Sequence, residues 1–385
     1  MTQQKLNSSN EADNKKIKNK RLAKIFRYNK TFQLESGRTL PGLHLAYTTS
    51  GKLNEDKNNV VWIFHALTAN SDPSEWWPGL VGHGAFFNPD KYFIVCVNMP
   101  GSCYGSIGPL DTDASTNQPF YHNFPLFTTR DMVRAYQFLK ADLGIEKIHL
   151  GIGGSMGGQQ LLEWAIEEPE LFEYIVPIAT NAKHSPWGIA FNASQRWCIT
   201  NDKTWKEKQV DAGLEGMKAA RSLALLSYRH YETYDASQQG FTAETELLSV
   251  DKQISKAESY QHYQGEKLAR RFNAFSYYFL SMGMDKHDVG RGRVSLQAAL
   301  NGIKAKALVI GISTDILFPP AEQEFLAAYI PGSQLAIIDS YYGHDGFLLE
   351  YDAITQQLEK WCPHPPKRSE EEPLKATSAK ENSIH

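Results

Sequence analysis

A chain of 385 residues, 42% hydrophobic and 22% charged with a formal net charge of -3, has the material for a sizeable core and lacks the basic excess of a polyanion-binding surface. No run reaches the roughly 18 consecutive apolar residues of a membrane span, and the N-terminus carries no apolar secretory stretch. Neither a nucleic-acid nor a membrane partner is expected. Four cysteines (Cys96, Cys103, Cys198, Cys362) without metal-ligand spacing are too few to staple such a chain, which points to a reducing, cytoplasmic setting.

In chain order, residues 1–25 are rich in Lys, Asn and Gln and read as a tail that cannot offset its ordering entropy. Residues 31–34 and 43–48 alternate as a half-exposed antiparallel pair would. Six short apolar runs, 60–64, 92–97, 148–152, 174–178, 307–312 and 335–338, read as buried parallel strands. Between two of them, residues 129–143 place Met132, Val133, Tyr136, Leu139 and Leu143 on one helical face, with Gly144 as the stop. From 181 to 294 the alternation gives way to helix-like sequence with interspersed Trp, Tyr and Arg. This segment predicts a helical lid inserted into a core of residues 26–180 and 295–362, and 363–385 reads as a second tail. Strands alternating with helices imply an α/β class with a mostly parallel sheet flanked by helices.

The strongest chemical signal is IHLGIGGSMGGQQLLEWAI, a strand running through Gly153-Gly154-Ser155-Met156-Gly157 into a helix. A turn this sharp crowds the backbone around the serine. Glycines two positions before and after it remove the clashing Cβ atoms and leave the hydroxyl exposed at the helix N-terminus. The pattern is the nucleophile elbow of the α/β-hydrolase fold, with Ser155 as nucleophile and the backbone N–H of Met156 facing a developing oxyanion.

A serine nucleophile needs a histidine base held by a carboxylate, in the chain order Ser, acid, His. ALVIGISTDILFPP supplies Asp315 in a loop after a strand, and LAIIDSYYGHDGFL supplies His344 after the next. Asp339 is the rival acid, but five residues before His344 it is better placed to brace that loop. Of the 12 histidines, His149 lies inside a strand, and His83, His122, His184, His230, His262 and His287 lack the loop context. The second oxyanion donor is expected in the loop of VVWIFHALTANSDPSEWW, at the N–H of Leu67 or, next, Ala66. His65 has no second ligand beside it and reads as scaffolding of that loop.

HALTANSD and EWW (residues 65–77), NMPGSCYGSIGP (98–109), FPLFTTRDMV (124–133), GGSMGG (153–158), TDILFPPAEQ (314–323) and GHDGFL (343–348) together resemble the homoserine O-acyltransferases, across most of residues 30–360. Pro100 and Ile107 depart from the residues usual there, a small aliphatic side chain and Thr. The resemblance implies acetyl transfer from acetyl-CoA to L-homoserine through an acyl-serine in a ping-pong reaction, as a step of methionine synthesis. It implies amino-acid binding at Arg221 and Asp345, with Arg196 and Arg229 as rivals of Arg221, and a homodimer. A guanidinium and a carboxylate would suit the two charges of a zwitterionic amino acid. No metal or organic cofactor is expected, with CoA serving only as carrier of the acyl substrate. Succinyl-CoA as donor, L-serine as acceptor, a plain esterase and a non-catalytic binding module are the alternatives.

Overall fold

The computed structural model describes residues 23–362. Eight strands form the central sheet: β1 (Lys24–Tyr28), β2 (Leu43–Ser50), β3 (Val60–Phe64), β4 (Phe93–Val97), β5 (Ile148–Gly154), β6 (Phe172–Ile178), β7 (Lys306–Ile312) and β8 (Gln334–Ile338). Their spatial order is β1-β2-β4-β3-β5-β6-β7-β8. The β1–β2 and β2–β4 pairs are antiparallel and the rest parallel. The α-helices of six or more residues among the described residues are α1 (Thr129–Asp142), α2 (Met156–Glu167), α3 (Pro186–Thr200), α4 (Leu214–Tyr228), α5 (Tyr231–Ser237), α6 (Lys256–Ala269), α7 (Ala274–Asp285), α8 (Leu296–Asn301), α9 (Pro320–Tyr329) and α10 (Tyr351–Trp361).

The inner strands are apolar on both faces because both faces are covered. Val60, Trp62 and Phe64 of β3 join a core with residues of α1, α2 and α9, while Val61 and Ile63 join Trp77, Phe87 and α10 residues Ile354 and Leu358 on the other face. Helix α1 starts at a capping box, with Thr128 Oγ1 and the Asp131 carboxylate each bonding the other's backbone N–H, and Gly144 follows it at φ 65°.

Three expectations are corrected. The partner of Leu43–Ser50 is Lys24–Tyr28, whereas Phe32–Gln33 pairs with Thr39–Leu40 in a separate ribbon. Strand β1 therefore begins inside the segment assigned to the tail; it is an edge strand whose charged, half-exposed residues read as polar tail. Strand β8 is the opposite edge and is not buried: Leu335 and Ile337 are each 41% exposed. The remainder of the two expected tails, residues 1–22 and 363–385, lies outside the described residues.

Helices α3 to α7 stand between β6 and β7. The return segment after α7 is fastened to the core by a shared ion network. Arg291 and Arg130 pair with Glu35 at 2.8 Å, and Arg293 and Arg130 pair with the buried Glu163 at 2.6 and 2.7 Å. Among the described residues no helix is long and apolar enough to cross a membrane, and no group of three or more His, Cys, Asp or Glu side chains could hold a metal ion.

Candidate active site

The loops that leave the C-terminal ends of the parallel strands converge, as expected for an open α/β sheet. Ser155 follows β5 directly and is the N-cap of α2, with φ 56° and ψ -128°. A non-glycine residue there is strained by about 1–3 kcal/mol and needs surroundings that over-determine it. They do: Ser155 N–H donates to Ile178 O at 2.9 Å, and the Ser155 carbonyl accepts from Thr180 Oγ1 at 2.8 Å and from Gly158 N–H at 3.0 Å.

The elbow glycines are required by close approach. A Cβ on Gly153 would lie 2.6 Å from the Gly157 backbone, and one on Gly157 would lie 2.2 Å from Phe64 O. Gly157→Ala is therefore expected to push α2 away from the end of β3, costing on the order of 1–3 kcal/mol or more. Thermal unfolding should show the loss, and activity should fall with it because the N–H groups of Leu67 and Met156, the candidate oxyanion donors, move apart.

Asp315 and His344 are 2% and 3% exposed. His344 Nδ1 lies 2.6 Å from Asp315 Oδ2, and Asp315 Oδ1 accepts from the N–H groups of Leu317 (2.8 Å) and Phe318 (2.9 Å). The imidazole stacks on Phe318 at 5.2 Å between centroids and meets Phe347 at 5.1 Å. Carboxylate and rings fix its orientation. Asp339 accepts instead from Ser313 Oγ at 3.0 Å and braces the loop between β7 and β8.

Leu67 and Met156 flank this group. Met156 opens α2, where a first-turn N–H has no intrahelical acceptor. Leu67 lies in the turn after β3, and His65 shows how that turn is held. His65 Nε2 accepts from Met99 N–H at 3.1 Å, so the proton sits on Nδ1, which donates to Ala66 O at 2.9 Å. Ala69 N–H donates to the same carbonyl at 3.0 Å. Ala66 C=O and Leu67 N–H belong to one trans peptide, so holding the carbonyl on one side turns the N–H to the other. Burial lowers the His65 pKa to about 4, which keeps the ring neutral and this arrangement intact near pH 7.

A cavity of about 280 Å³ is lined by Leu67, Ser155, Arg221, His344 and Asp345, together with Tyr228 and Arg271. Asp315 lies behind His344, outside the lining. The Arg221 guanidinium stands 5.4 Å over the Tyr228 ring. Arg196, a rival for its role, is engaged with Asp285 and Ser281. Arg229, the other rival, pairs through Nε with Asp345 Oδ2 at 2.7 Å, outside hydrogen-bonding alignment. Burial raises the Asp345 pKa above 3.8, and Arg229, Arg221 and His344 oppose the rise. The Arg229 contact and the presence of Arg271 in the lining were not foreseen. Both residues lie on the helical segment, and no local pattern marks which of its many cations face inward.

The α/β hydrolase fold family model matches residues 59–351. A homoserine O-acetyltransferase of Cyclobacterium marinum is 47% identical over 337 residues, covering 88% of this chain and 94% of that protein. A solved homoserine O-acetyltransferase of Bacillus anthracis superposes with a TM-score of 0.79 at 22% identity, covering 89% of this chain and 98% of that one. An acetylester hydrolase of Corynebacterium glutamicum superposes with a TM-score of 0.76 at 26% identity, covering 88% and 95%. The fold is thus shared by transferases and hydrolases alike, and the B. anthracis likeness speaks for the fold only.

Proposed function

This chain belongs to the homoserine O-acetyltransferases of the α/β-hydrolase fold, and from that premise we propose that it moves an acetyl group from acetyl-CoA to the hydroxyl of L-homoserine through an acyl-Ser155 intermediate. His344 takes the Ser155 proton as Oγ attacks the thioester carbonyl. The oxyanion is held by the N–H groups of Leu67 and Met156. CoA leaves as the thiol when His344 returns the proton. Homoserine then enters, His344 accepts its hydroxyl proton, and the alkoxide oxygen takes the acetyl group as the Ser155 Oγ–acyl bond breaks. The proton passes back to Ser155, and O-acetyl-L-homoserine leaves. Triad and N–H donors supply the proton transfer and charge stabilisation, so the scheme calls for no metal or organic cofactor.

The observation that carries acceptor binding is that Arg221 and Asp345 line the same cavity as Ser155. An acetylester hydrolase needs no such pair, whereas a zwitterionic acceptor needs a cation for its carboxylate and an anion for its ammonium. Use of acyl-CoA supports a cytoplasmic setting for the reaction. Exposed Trp187, Trp197 and Leu226 on α3 and α4 support a homodimer formed through the helical segment.

The test is release of CoA from acetyl-CoA with and without homoserine, with the products weighed. Fast turnover and O-acetylhomoserine are expected only when homoserine is present. Equal acetate release in its absence would mean a hydrolase, and preferred turnover of succinyl-CoA or L-serine would replace the donor or acceptor. Arg221→Met should raise KM for homoserine by about 10- to 100-fold, the loss of a charged hydrogen bond, with acylation by acetyl-CoA unaltered. Protonated Asp345 cannot hold an ammonium. Because its pKa is raised, KM for homoserine should climb on acidification while the pH is still above 3.8.

A further inference from the structure

The helical segment reaches the catalytic cavity through Arg271, between α6 and α7. Its Nη1 donates to the carbonyl of Thr68 and to the hydroxyl of Tyr104. Its own carbonyl accepts from Cys103 Sγ at 3.4 Å, and the neighbouring Phe272 ring meets the Tyr104 ring edge-on at 5.8 Å. One residue of the lid thus grips two core loops, the one after β3 and the one after β4. Arg271 also lines the cavity that holds Ser155.

Thr68 is the residue after Leu67, inside the turn closed by Ala69 N–H on Ala66 O. The core holds the near end of that turn through His65. Its far end, the Thr68 carbonyl, is held by a charged donor from the lid, and hydrogen bonds to ionised donors are about twice as strong as neutral ones. An oxyanion donor must be aimed to well within an ångström to act on a transition state.

We infer that Arg271 is a positioning residue for acyl transfer: by seating the Thr68 carbonyl it aims the Leu67 N–H, so the oxyanion hole is complete only while the helical segment is docked on both loops. This rests on Ser155 as nucleophile and Leu67 N–H as oxyanion donor. It gives the enzyme a way to favour transfer over hydrolysis. Whenever the segment lifts and admits water, the hole that water would need for attack on acyl-Ser155 is out of alignment.

The experiment uses p-nitrophenyl acetate, which acylates Ser155 without CoA or amino acid. Stopped-flow release of nitrophenolate reads the first-order acylation rate. Arg271→Met is expected to lower that rate by at least about tenfold, with KM for the ester and the thermal midpoint close to wild type. Arg271→Lys, which keeps one charged donor, should recover part of the loss. Tyr104→Phe, which removes the other Nη1 partner and leaves Thr68 held, should have a smaller effect. An unchanged burst in Arg271→Met, with KM raised only for acetyl-CoA or only for homoserine, would make Arg271 a substrate contact and overturn the inference. Equal nitrophenolate release by the unaltered enzyme and by Ser155→Ala would instead remove the serine nucleophile on which it stands.

Discussion

Ser155→Ala is expected to lower acyl transfer by about 10⁶-fold and to abolish the nitrophenolate burst. The substitution isolates the proposed nucleophile because it leaves the elbow alone. Alanine keeps a Cβ at φ 56°, so the strain persists, and the backbone bonds to Ile178 O and from Thr180 Oγ1 involve no part of the removed hydroxyl. Cavity, oxyanion donors and the Arg221/Asp345 pair should survive, so equilibrium titration should still show homoserine binding. Ser155→Gly provides the complementary result. It should be as inactive, yet more stable than the parent by about 1 kcal/mol, the lower end of the strain that a side chain suffers at positive φ. Turnover in Ser155→Ala above roughly a thousandth of the parent rate would exclude Ser155 as nucleophile, since the oxyanion hole and binding alone do not supply that much.

The constellation around Ser155 was legible in the sequence because its determinants are local. A strand, two glycines that a Cβ would push into Phe64 O and the Gly157 backbone, and a helix all lie within about twenty residues. Asp315 and His344 could be assigned because each follows an apolar strand closely enough for the strand to deliver it. Strand β1 was not legible: the stability of KIFRY comes from pairing with Leu43–Ser50, and its own residues, exposed at the edge, carry no apolar pattern. Strand β8 misleads in the opposite sense, because an apolar run reports β-propensity but not whether a neighbour covers it. Arg229 and Arg271 were hidden for a third reason. Helical periodicity tells which side of a lid helix is apolar, but the docking of the whole segment decides which of its cations meet Asp345 and Thr68.

Asp315→Asn is expected to lower kcat by about 10⁴-fold while leaving the fold intact, and the geometry says why a single-atom change should do so much. Asp315 Oδ1 accepts two backbone N–H bonds, from Leu317 and Phe318, while Oδ2 faces His344 Nδ1. In the asparagine variant the buried N–H pair can be satisfied only by the amide oxygen, which must take the Oδ1 position. The amide NH₂ then occupies the Oδ2 position and presents a donor to Nδ1. His344 must answer with an unprotonated Nδ1, which moves its proton to Nε2 and leaves no lone pair to accept the Ser155 proton. The flipped orientation would leave two buried N–H groups unpaired at about 1–3 kcal/mol each, so the wrong tautomer prevails. Nitrogen chemical shifts of labelled His344 should report the exchange from Nδ1–H to Nε2–H, alongside the loss of the p-nitrophenyl acetate burst. Retention of activity within about tenfold would mean that another carboxylate orients the base, and Asp339, now bonded to Ser313, would be the one to test.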